Sequence, residues 1–465
     1  MVLKGWVNVR RNMGKIVFLD LRDSTAIVQL VCVPGELDEA SLEAVKEVRP
    51  EFVIEVEGVV NERNAKSVNP NMATGTVEVL VKKLSIINTA ETPPFEIDNE
   101  ERQANEELRL KYRYLDLRHT RMHNNIKTRH QIIRAMREFF YAADFLEIET
   151  PFLSKSTPEG ARDFLVPSRN YPGKFYALPQ SPQQYKQMLM VAGLERYFQI
   201  VRCFRDEDQR GDRQAEFTQL DVEMSFVQQE DILRLTEELV TAVMAKIKPA
   251  AKISFPRMTY AEAMKNYNSD KPDIRKDKND PNEYAFLWVT DFPMFEYKEG
   301  DQRWGAVHHP FTAINPEDVH YLEPRMNSSV TTAEPKNSSS ASDLSKIRAL
   351  QYDLVLNGNE VAGGSIRTHD PKILQTVFEK LGHSASDIQK LFGHLFEAFK
   401  YGVPPHGGIA FGLDRLVAVL CGEVSIREVM AFPKTSDNRD PLMASPSEVT
   451  AEQLVELGLV IEKKE

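Results

Sequence analysis

The sequence predicts an α+β protein in which a small β-barrel precedes a larger domain of strands and helices. Residues 1–88 contain five short segments in which apolar and polar side chains alternate, as they do along half-buried strands. Residues 89–112 combine two prolines with an acidic run, which is typical of a hinge or linker. From residue 113 onward, apolar strands alternate with helical patterns, and a chain of 465 residues is long enough for two or three domains.

The five N-terminal segments predict a closed barrel of the OB type. A helix-like stretch from Leu37 to Val48 lies between the third and fourth segments, as that barrel requires. The open face of an OB barrel commonly binds single-stranded nucleic acid. Phe18, flanked by Arg11 and followed by Gln29, offers a ring and hydrogen-bonding groups for unstacked bases. A small antiparallel barrel without an RNA ligand is the alternative interpretation.

Composition limits the location and partners of the chain. A net charge of -11 argues against a protein that coats nucleic acid nonspecifically, because phosphate affinity scales with the cations placed on it. Cys32, Cys203 and Cys421 are widely spaced and form no CxxC pair, which fits a reducing, cytoplasmic setting. No apolar run reaches the roughly 18 residues of a membrane span, so no membrane association is expected.

A charged loop lies between two apolar strands in the middle of the chain. The stretch from Phe204 to Glu223, FRDEDQRGDRQAEFTQLDVE, is entered by the strand YFQIVRCF and ends in a second strand-like run. The loop holds carboxylates and guanidinium groups above a sheet, which suits a triphosphate with its metal and the edge of a base. A solvated hairpin is the alternative, but buried strands rarely lead into charges that have no use.

This run resembles motif 2 of the class II aminoacyl-tRNA synthetases, with wording close to the bacterial aspartyl type. Further segments fit that family. A helix with an apolar stripe feeds the strand FLEIETPFL, which resembles motif 1, and GIAFGLDRLVAVL resembles motif 3. Between them, TPEGARDFLVPSR and ALPQSPQQYKQMLM look like the signatures of the aspartate enzymes. The helical stripe consists of Ile126, Ile132, Ile133, Met136 and Phe140.

The resemblance implies an organisation for the chain. Residues 1–88 would form an OB-fold anticodon-binding domain, 89–112 a hinge, and 113–465 a class II catalytic domain built on an antiparallel sheet flanked by helices. The large domain usual between motifs 2 and 3 is absent near residues 275–285. The family also implies a homodimer through motif 1, and the apolar stripe of the motif 1 helix is expected to need a partner.

The resemblance implies an aspartate–tRNA ligase. Such an enzyme activates L-aspartate with ATP and Mg²⁺ and transfers the aspartyl group to the 3′ end of tRNA(Asp); tRNA(Asn) stays open as a second acceptor. An ammonia-dependent asparagine synthetase shares the catalytic core, but it has no need of an anticodon-binding barrel. An RNA-binding paralogue without catalysis is the third interpretation, and the retained arginines and carboxylates of the site argue against it.

The same resemblance assigns roles to individual residues. The catalytic residues are Arg205, Glu207 and Arg415. The ATP-binding residues are Arg205, Asp206, Glu207, Gln214, Phe217, Glu360, Gly412, Leu413, Asp414 and Arg415. The aspartate-binding residues are Glu159, Gln183, Lys186, Arg205, Asp221, His308 and Arg367. The anticodon-binding residues are Arg11, Phe18, Gln29 and Glu78.

A pair of carboxylates forms the candidate magnesium site. Asp353 and Glu360 flank an Asn-Gly turn that brings strand-borne side chains towards one face. Two carboxylates, ATP phosphates and water are ligands that Mg²⁺ prefers. On spacing alone, a simple turn acid is an equal alternative, and the resemblance favours the metal. Ala362 replaces the first of three glycines usual in the family, which raises the question of crowding in the pocket.

Two neighbouring histidines lie in the segment VHHPFT. By resemblance, His308 is the loop histidine that closes on aspartate. A metal site or simple packing is the alternative for a histidine pair, but no third ligand lies nearby in the sequence.

Overall fold

The computed structural model describes residues 1–97, 99, 104–156, 160–208, 210–300, 302–322 and 344–462. The chain forms two compact units, Met1–Thr120 and Arg121–Glu465. The structure therefore places the division a few residues after the hinge expected at 89–112.

The first unit is built on a closed five-stranded barrel in the order β1-β2-β3-β5-β4. Apolar residues at alternate positions of the strands fill its interior, which agrees with the period-two pattern of the sequence. A helix, α1, lies between the third and fourth strands, and Asp38 caps it by accepting a hydrogen bond from the Ser41 amide. The fold predicted for this segment is confirmed. The elements are β1 Val2–Met13, β2 Ile16–Arg22, β3 Ile27–Cys32, α1 Glu39–Glu47, β4 Val53–Glu62 and β5 Val77–Asn88.

Two short helices complete the first unit. They are α2, Glu106–Lys111, and α3, Arg113–Asp116. The side chains of Arg113 and Asp116 are almost fully buried and form an ion pair. After α3, Arg118 donates a hydrogen bond to Glu51 of the barrel unit at 2.7 Å.

The second unit is built on an eight-stranded sheet in the order β11-β12-β15-β16-β17-β10-β9-β6. The six central strands are antiparallel, as predicted, whereas the outermost pair at each edge is parallel. The sheet is therefore mixed. Its strands are β6 Leu146–Glu147, β9 Arg196–Phe204, β10 Glu216–Ser225, β11 Arg257–Thr259, β12 Phe286–Thr290, β15 Gln351–Leu356, β16 Asn359–Ile366 and β17 His406–Gly412.

Helices cover this sheet, and two small hairpins lie beside it. The helices are α4 Thr120–Ala142, α5 Gln183–Val191, α6 Gln229–Ile247, α7 Tyr260–Tyr267, α8 Pro371–Lys380, α9 Ala385–Phe399, α10 Leu413–Cys421 and α11 Ala451–Leu457. The hairpins are β7 Leu165–Pro167 with β8 Phe175–Ala177, and β13 Phe295–Lys298 with β14 Arg303–Ala306. Residues 268–285 alone connect α7 to β12, so no inserted domain lies there. Among the described residues, no helix combines the length and apolarity needed to cross a bilayer.

The motif 1 helix, α4, uses its apolar stripe inside its own chain. Ile132, Met136 and Phe140 are buried in the largest core cluster, together with strand residues such as Phe198 and Leu220. The sheet of the same chain therefore covers most of the stripe, which leaves only its half-buried residues, Ile126 and Ile133, for a partner subunit. The homodimer itself stays a prediction.

Candidate active site

A cavity of about 400 Å³ opens over the centre of the large sheet. Strands β10, β15, β16 and β17 form its floor, and the loop between β9 and β10 lies at its rim. Most residues assigned from the sequence line it. They are Gln183, Lys186, Arg205, Glu207, Gln214, Phe217, Asp221, His308, Asp353, Glu360, Arg367, Gly412, Asp414 and Arg415.

Three of the assigned residues do not line the cavity or cannot be placed. Asp206 lies beside Arg162 at 3.7 Å, away from the cavity lining. Leu413 is fully buried in the hydrophobic core at the start of α10. Glu159 lies outside the described residues.

The deepest part of the cavity holds a buried quartet of charges. Arg367 forms a fork with Glu223, with Nε to Oε1 at 3.0 Å and Nη2 to Oε2 at 3.1 Å. Lys186 lies 2.6 Å from Asp221 and 3.2 Å from Glu223. All four side chains are at most 3% exposed, so each charge depends on the others for compensation.

The sequence interpretation missed Glu223. Its signal was present, because Asp221 and Glu223 stand two apart on the strand, alternate with the apolar Leu220, Val222 and Met224, and so point to the same face. Burial opposes ionisation of Glu223, but the charges of Arg367 and Lys186 lower its pKa to about 2. Burial outweighs the attraction of Lys186 at Asp221 and raises the pKa of that carboxyl. One oxygen of Asp221 has no hydrogen-bond partner among the described residues, which leaves it available to a bound ammonium group.

His309, the neighbour of the predicted His308, is the histidine that contacts the quartet. Its Nε2 lies 2.7 Å from Nη1 of Arg367 and therefore accepts a hydrogen bond from it. Partial burial and the charge of Arg367 hold the pKa of His309 well below its ordinary value, so the ring is neutral. His308 instead packs edge-on against Phe292, with ring centroids 4.8 Å apart, although it too lines the cavity.

The other end of the cavity carries the groups expected to meet a nucleotide. The guanidinium of Arg205 lies over the Phe217 ring, 5.0 Å from its centroid. Arg415 donates a hydrogen bond to the Glu360 carbonyl at 2.6 Å and lies 3.3 Å from Asp212. These contacts hold two arginines on one wall of the cavity, where they can face phosphate oxygens.

Two residues assigned to ATP binding use their side chains for hydrogen bonds within the protein. Gln214 donates to the carbonyl of Lys434 and accepts from its amide, at 3.2 and 2.7 Å. Asp414 accepts from Arg129 with one oxygen and from the Thr218 amide with the other, the latter at 2.7 Å. Their side chains therefore shape the cavity wall.

The two candidate metal ligands converge on one point. Asn357 and Gly358 both have positive φ, as the predicted turn requires, and β15 pairs with β16. A Cβ added to Gly363 would lie 2.8 Å from an Asp353 oxygen and 3.4 Å from a Glu360 oxygen. Burial and the Glu360 charge raise the pKa of Asp353 well above its ordinary value. Two carboxylates that repel each other over an open glycine fit a divalent cation.

Ala362 does not place its methyl group against these carboxylates. It is buried in the core cluster with Leu354 and Phe411, its partners on the neighbouring strands. Neighbouring residues of a strand face opposite sides, and Gly363 faces the carboxylates. Ala362 still lines the cavity, so crowding of the pocket by its methyl group stays a prediction.

The residues assigned to the anticodon form a connected set on the barrel. Arg11 makes a fork with Asp20 through two 2.7 Å hydrogen bonds and also reaches Gln29 at 3.1 Å. Gln29 continues the chain to Glu78 at 2.9 Å. Phe18 lies directly across the ladder from Arg11 and is half-buried. The barrel therefore presents a ring beside an ordered row of polar side chains.

Comparisons with known proteins agree with this arrangement. Residues 105–436 match the family described as tRNA synthetases class II (D, K and N), and residues 1–87 match the OB-fold nucleic acid binding domain. The aspartate–tRNA ligase of Staphylococcus carnosus is 41% identical over 99% of this chain and 96% of its own. The chain is a class II aminoacyl-tRNA synthetase. This synthetase is also 40% identical to the aspartate–tRNA(Asp/Asn) ligase of a Geobacillus species, over 100% of this chain and 96% of the relative.

Solved structures share the architecture of this synthetase. The asparaginyl-tRNA synthetase of Pyrococcus horikoshii, complexed with asparaginyl-adenylate, superposes with a TM-score of 0.71 at 25% identity and covers 94% of each chain. The alignment with the Staphylococcus carnosus enzyme runs over 584 positions, more than the 465 residues of this synthetase. The relative therefore has residues without a counterpart here, in keeping with the short link between α7 and β12.

Proposed function

We propose that the synthetase is an aspartate–tRNA ligase, which forms aspartyl-adenylate from L-aspartate and ATP and transfers the aspartyl group to tRNA(Asp). One observation carries the choice of amino acid. Arg367 and Lys186, both almost fully buried, lie at the deep end of a cavity whose other end carries the nucleotide-facing arginines. A buried guanidinium offers only donors, so it pairs with a carboxylate and itself offers the amide NH₂ of asparagine no acceptor.

The proposed chemistry needs positioning and fixed charge. The aspartate α-carboxylate attacks the α-phosphorus of ATP, and negative charge develops on the phosphoryl oxygens. Arg205 would stabilise that charge and Arg415 would hold the γ-phosphate. Phe217 would stack on adenine, Glu207 would accept from its amino group, and Asp221 would bind the aspartate ammonium. Mg²⁺, when bound, supplies charge neutralisation for the phosphates, and Asp353 and Glu360 would hold it.

The barrel is proposed to bind the anticodon of the tRNA. The stacking surface of Phe18 and the ordered row of Arg11, Gln29 and Glu78 support this part. Some relatives are named as ligases for aspartate tRNA alone, and others as ligases for both aspartate and asparagine tRNA. A cytoplasmic location is part of the same proposal, and a tRNA substrate supports it. Charging of purified tRNA(Asp) and tRNA(Asn) decides the acceptor range.

The synthetase is further proposed to act as a homodimer through the strand that follows α4. Strand β6 is the last strand of the sheet, and the residues after it leave apolar side chains in solvent. Leu146, in the strand, is 50% exposed, and Leu153, after it, is 55% exposed. An edge strand with exposed apolar neighbours is a surface that another chain can cover.

Pyrophosphate exchange tests the proposed activity. The enzyme is expected to exchange pyrophosphate into ATP with aspartate, and not with asparagine at the same concentration. No exchange with aspartate would contradict the proposal and favour the paralogue without catalysis. Formation of free asparagine from aspartate, ATP and ammonia would instead favour the asparagine synthetase.

A further inference from the structure

Helix α4 presents a row of polar side chains to the segment that begins with α10. Arg121, Asn125 and Arg129 are spaced four residues apart and therefore share one face of the helix. Arg121 donates to Glu423 at 2.8 Å, and Asn125 donates to the same carboxylate at 2.6 Å. These two contacts fix the residues just after the end of α10.

Arg129 makes the contact at the opposite end of α10. It forms an ion pair with Asp414, and its exposed fraction is 15% against 4% for its partner. The same nitrogen also reaches the carbonyl of Val429 at 3.3 Å. The second Asp414 oxygen accepts from the Thr218 amide on β10. Asp414 is thereby fixed from two directions, by the helix α4 and by a strand of the cavity floor.

Arg415 follows Asp414 directly and lines the cavity. Its own contacts are a carbonyl, that of Glu360, and a half-exposed carboxylate, that of Asp212. Neither contact sets the position of the backbone from which the Arg415 side chain leaves. Asp414 sets the position of the Arg415 backbone, and the ion pair with Arg129 keeps Asp414 in place.

We infer that Arg129 is a positioning residue for ATP binding. It fixes Asp414, and Asp414 in turn sets the direction in which the Arg415 side chain leaves the helix. This inference rests on the ATP role proposed for Arg415. It links helix α4, outside the cavity lining, to the phosphate end of the site. Loss of the Arg129 charge should leave Asp414 buried beside an unfilled space, and the start of α10 should shift.

Direct ATP binding by the full-length enzyme tests the inference, because the measurement does not depend on which amino acid is the substrate. Equilibrium dialysis with ATP and Mg²⁺ should show that Arg129→Gln weakens ATP binding by about tenfold or more, since a buried carboxylate has lost its partner. Arg129→Lys should recover a large part of the affinity, because a lysine keeps the positive charge that pairs with Asp414. In pyrophosphate exchange, KM for ATP should rise while KM for aspartate stays within about twofold.

Arg121→Gln is the matched control. It removes an arginine–carboxylate pair from the same face of α4, at the end of α10 remote from Arg415. ATP affinity of this variant should equal that of wild type. Equal loss in the two variants, or normal ATP affinity in Arg129→Gln, would overturn the inference. If Arg129→Gln is too unstable to purify, Asp414→Asn with normal ATP affinity would overturn it instead.

ATP binding and pyrophosphate exchange by the wild-type enzyme distinguish a failure of this inference from a failure of the proposed function. An enzyme that binds ATP normally but shows no exchange with aspartate would refute the choice of amino acid. The dialysis result for Arg129→Gln would still decide the positioning role.

Discussion

Single residues at the deep end of the cavity carry the largest consequences, because their charges are buried and depend on one another. Arg367→Leu removes a cation that forms a fork with Glu223 and acts only as a hydrogen-bond donor. Loss of one member of a buried charge pair costs on the order of 2 to 5 kcal/mol, so aspartate activation should fall by about two orders of magnitude or more. Steady-state pyrophosphate exchange measures this, and ATP binding should change little. A near-normal kcat/KM for aspartate would show that Lys186 or another group recognises the side chain.

Glu223 gives a prediction on stability against pH. Its folded pKa of about 2 lies below the ordinary 4.5. A lowered carboxyl pKa adds stability that is complete above the unfolded value and is lost as pH falls through the folded value. Between about pH 5 and about pH 3, wild type should therefore lose about 2 kcal/mol more unfolding free energy than Glu223→Gln. Urea unfolding of both proteins at the two pH values measures the difference, and equal losses would refute the lowered pKa.

The sequence could indicate the residues of the site but not their pairs. Glu223 and Arg367 are 144 positions apart. Alternation along β10 indicates that Asp221 and Glu223 share a face, yet only the tertiary structure shows that this face is inside. The same limit explains the histidines. Neighbours in a sequence such as His308 and His309 point in different directions, and the pattern cannot show which one reaches Arg367.

At the scale of the element, the β15–β16 hairpin tests the metal assignment. A methyl group at Gly363 would lie 2.8 Å from an Asp353 oxygen, closer than a carbon and an oxygen can pack. Gly363→Ala should therefore displace the carboxylate and raise the Mg²⁺ concentration needed for half-maximal exchange by about tenfold. Gly300→Ala is the control, because nothing lies within 4 Å of its added Cβ. An unchanged Mg²⁺ requirement in Gly363→Ala would argue against a metal at this hairpin.

The barrel gives the second prediction at this scale. Phe18→Ala should remove roughly 1 to 3 kcal/mol of base stacking and raise KM for tRNA, while pyrophosphate exchange without tRNA stays normal. Val60→Ala, at an exposed barrel position, serves as the control. An equal loss in exchange would indicate misfolding or a wrong assignment of the RNA surface. The barrel itself was predictable because its strands alternate regularly, whereas the parallel strands at the edges of the large sheet are too short to give a pattern.

At the scale of the whole molecule, the remaining prediction is the homodimer. The apolar stripe of α4 was the reason for expecting it, and most of that stripe is covered by the core of its own chain. The expectation now depends on the exposed residues after β6. Leu153 is 55% exposed, so covering the rest of its side chain stabilises an interface by about 1 to 1.5 kcal/mol. Sedimentation of the wild type at micromolar concentration should therefore give twice the 53.1 kDa chain mass.

Leu153→Glu locates the interface. A glutamate at this position loses the apolar contact and places a charge where water would be excluded, so the dimer dissociation constant should rise by at least about tenfold. Val60→Glu introduces the same charge at a barrel position of similar exposure, 48%, and this variant should dimerise as wild type does. Equal weakening by both substitutions would reflect charge alone. A fully active wild-type monomer at micromolar concentration would refute the dimer, and an intact dimer in Leu153→Glu would move the interface away from β6.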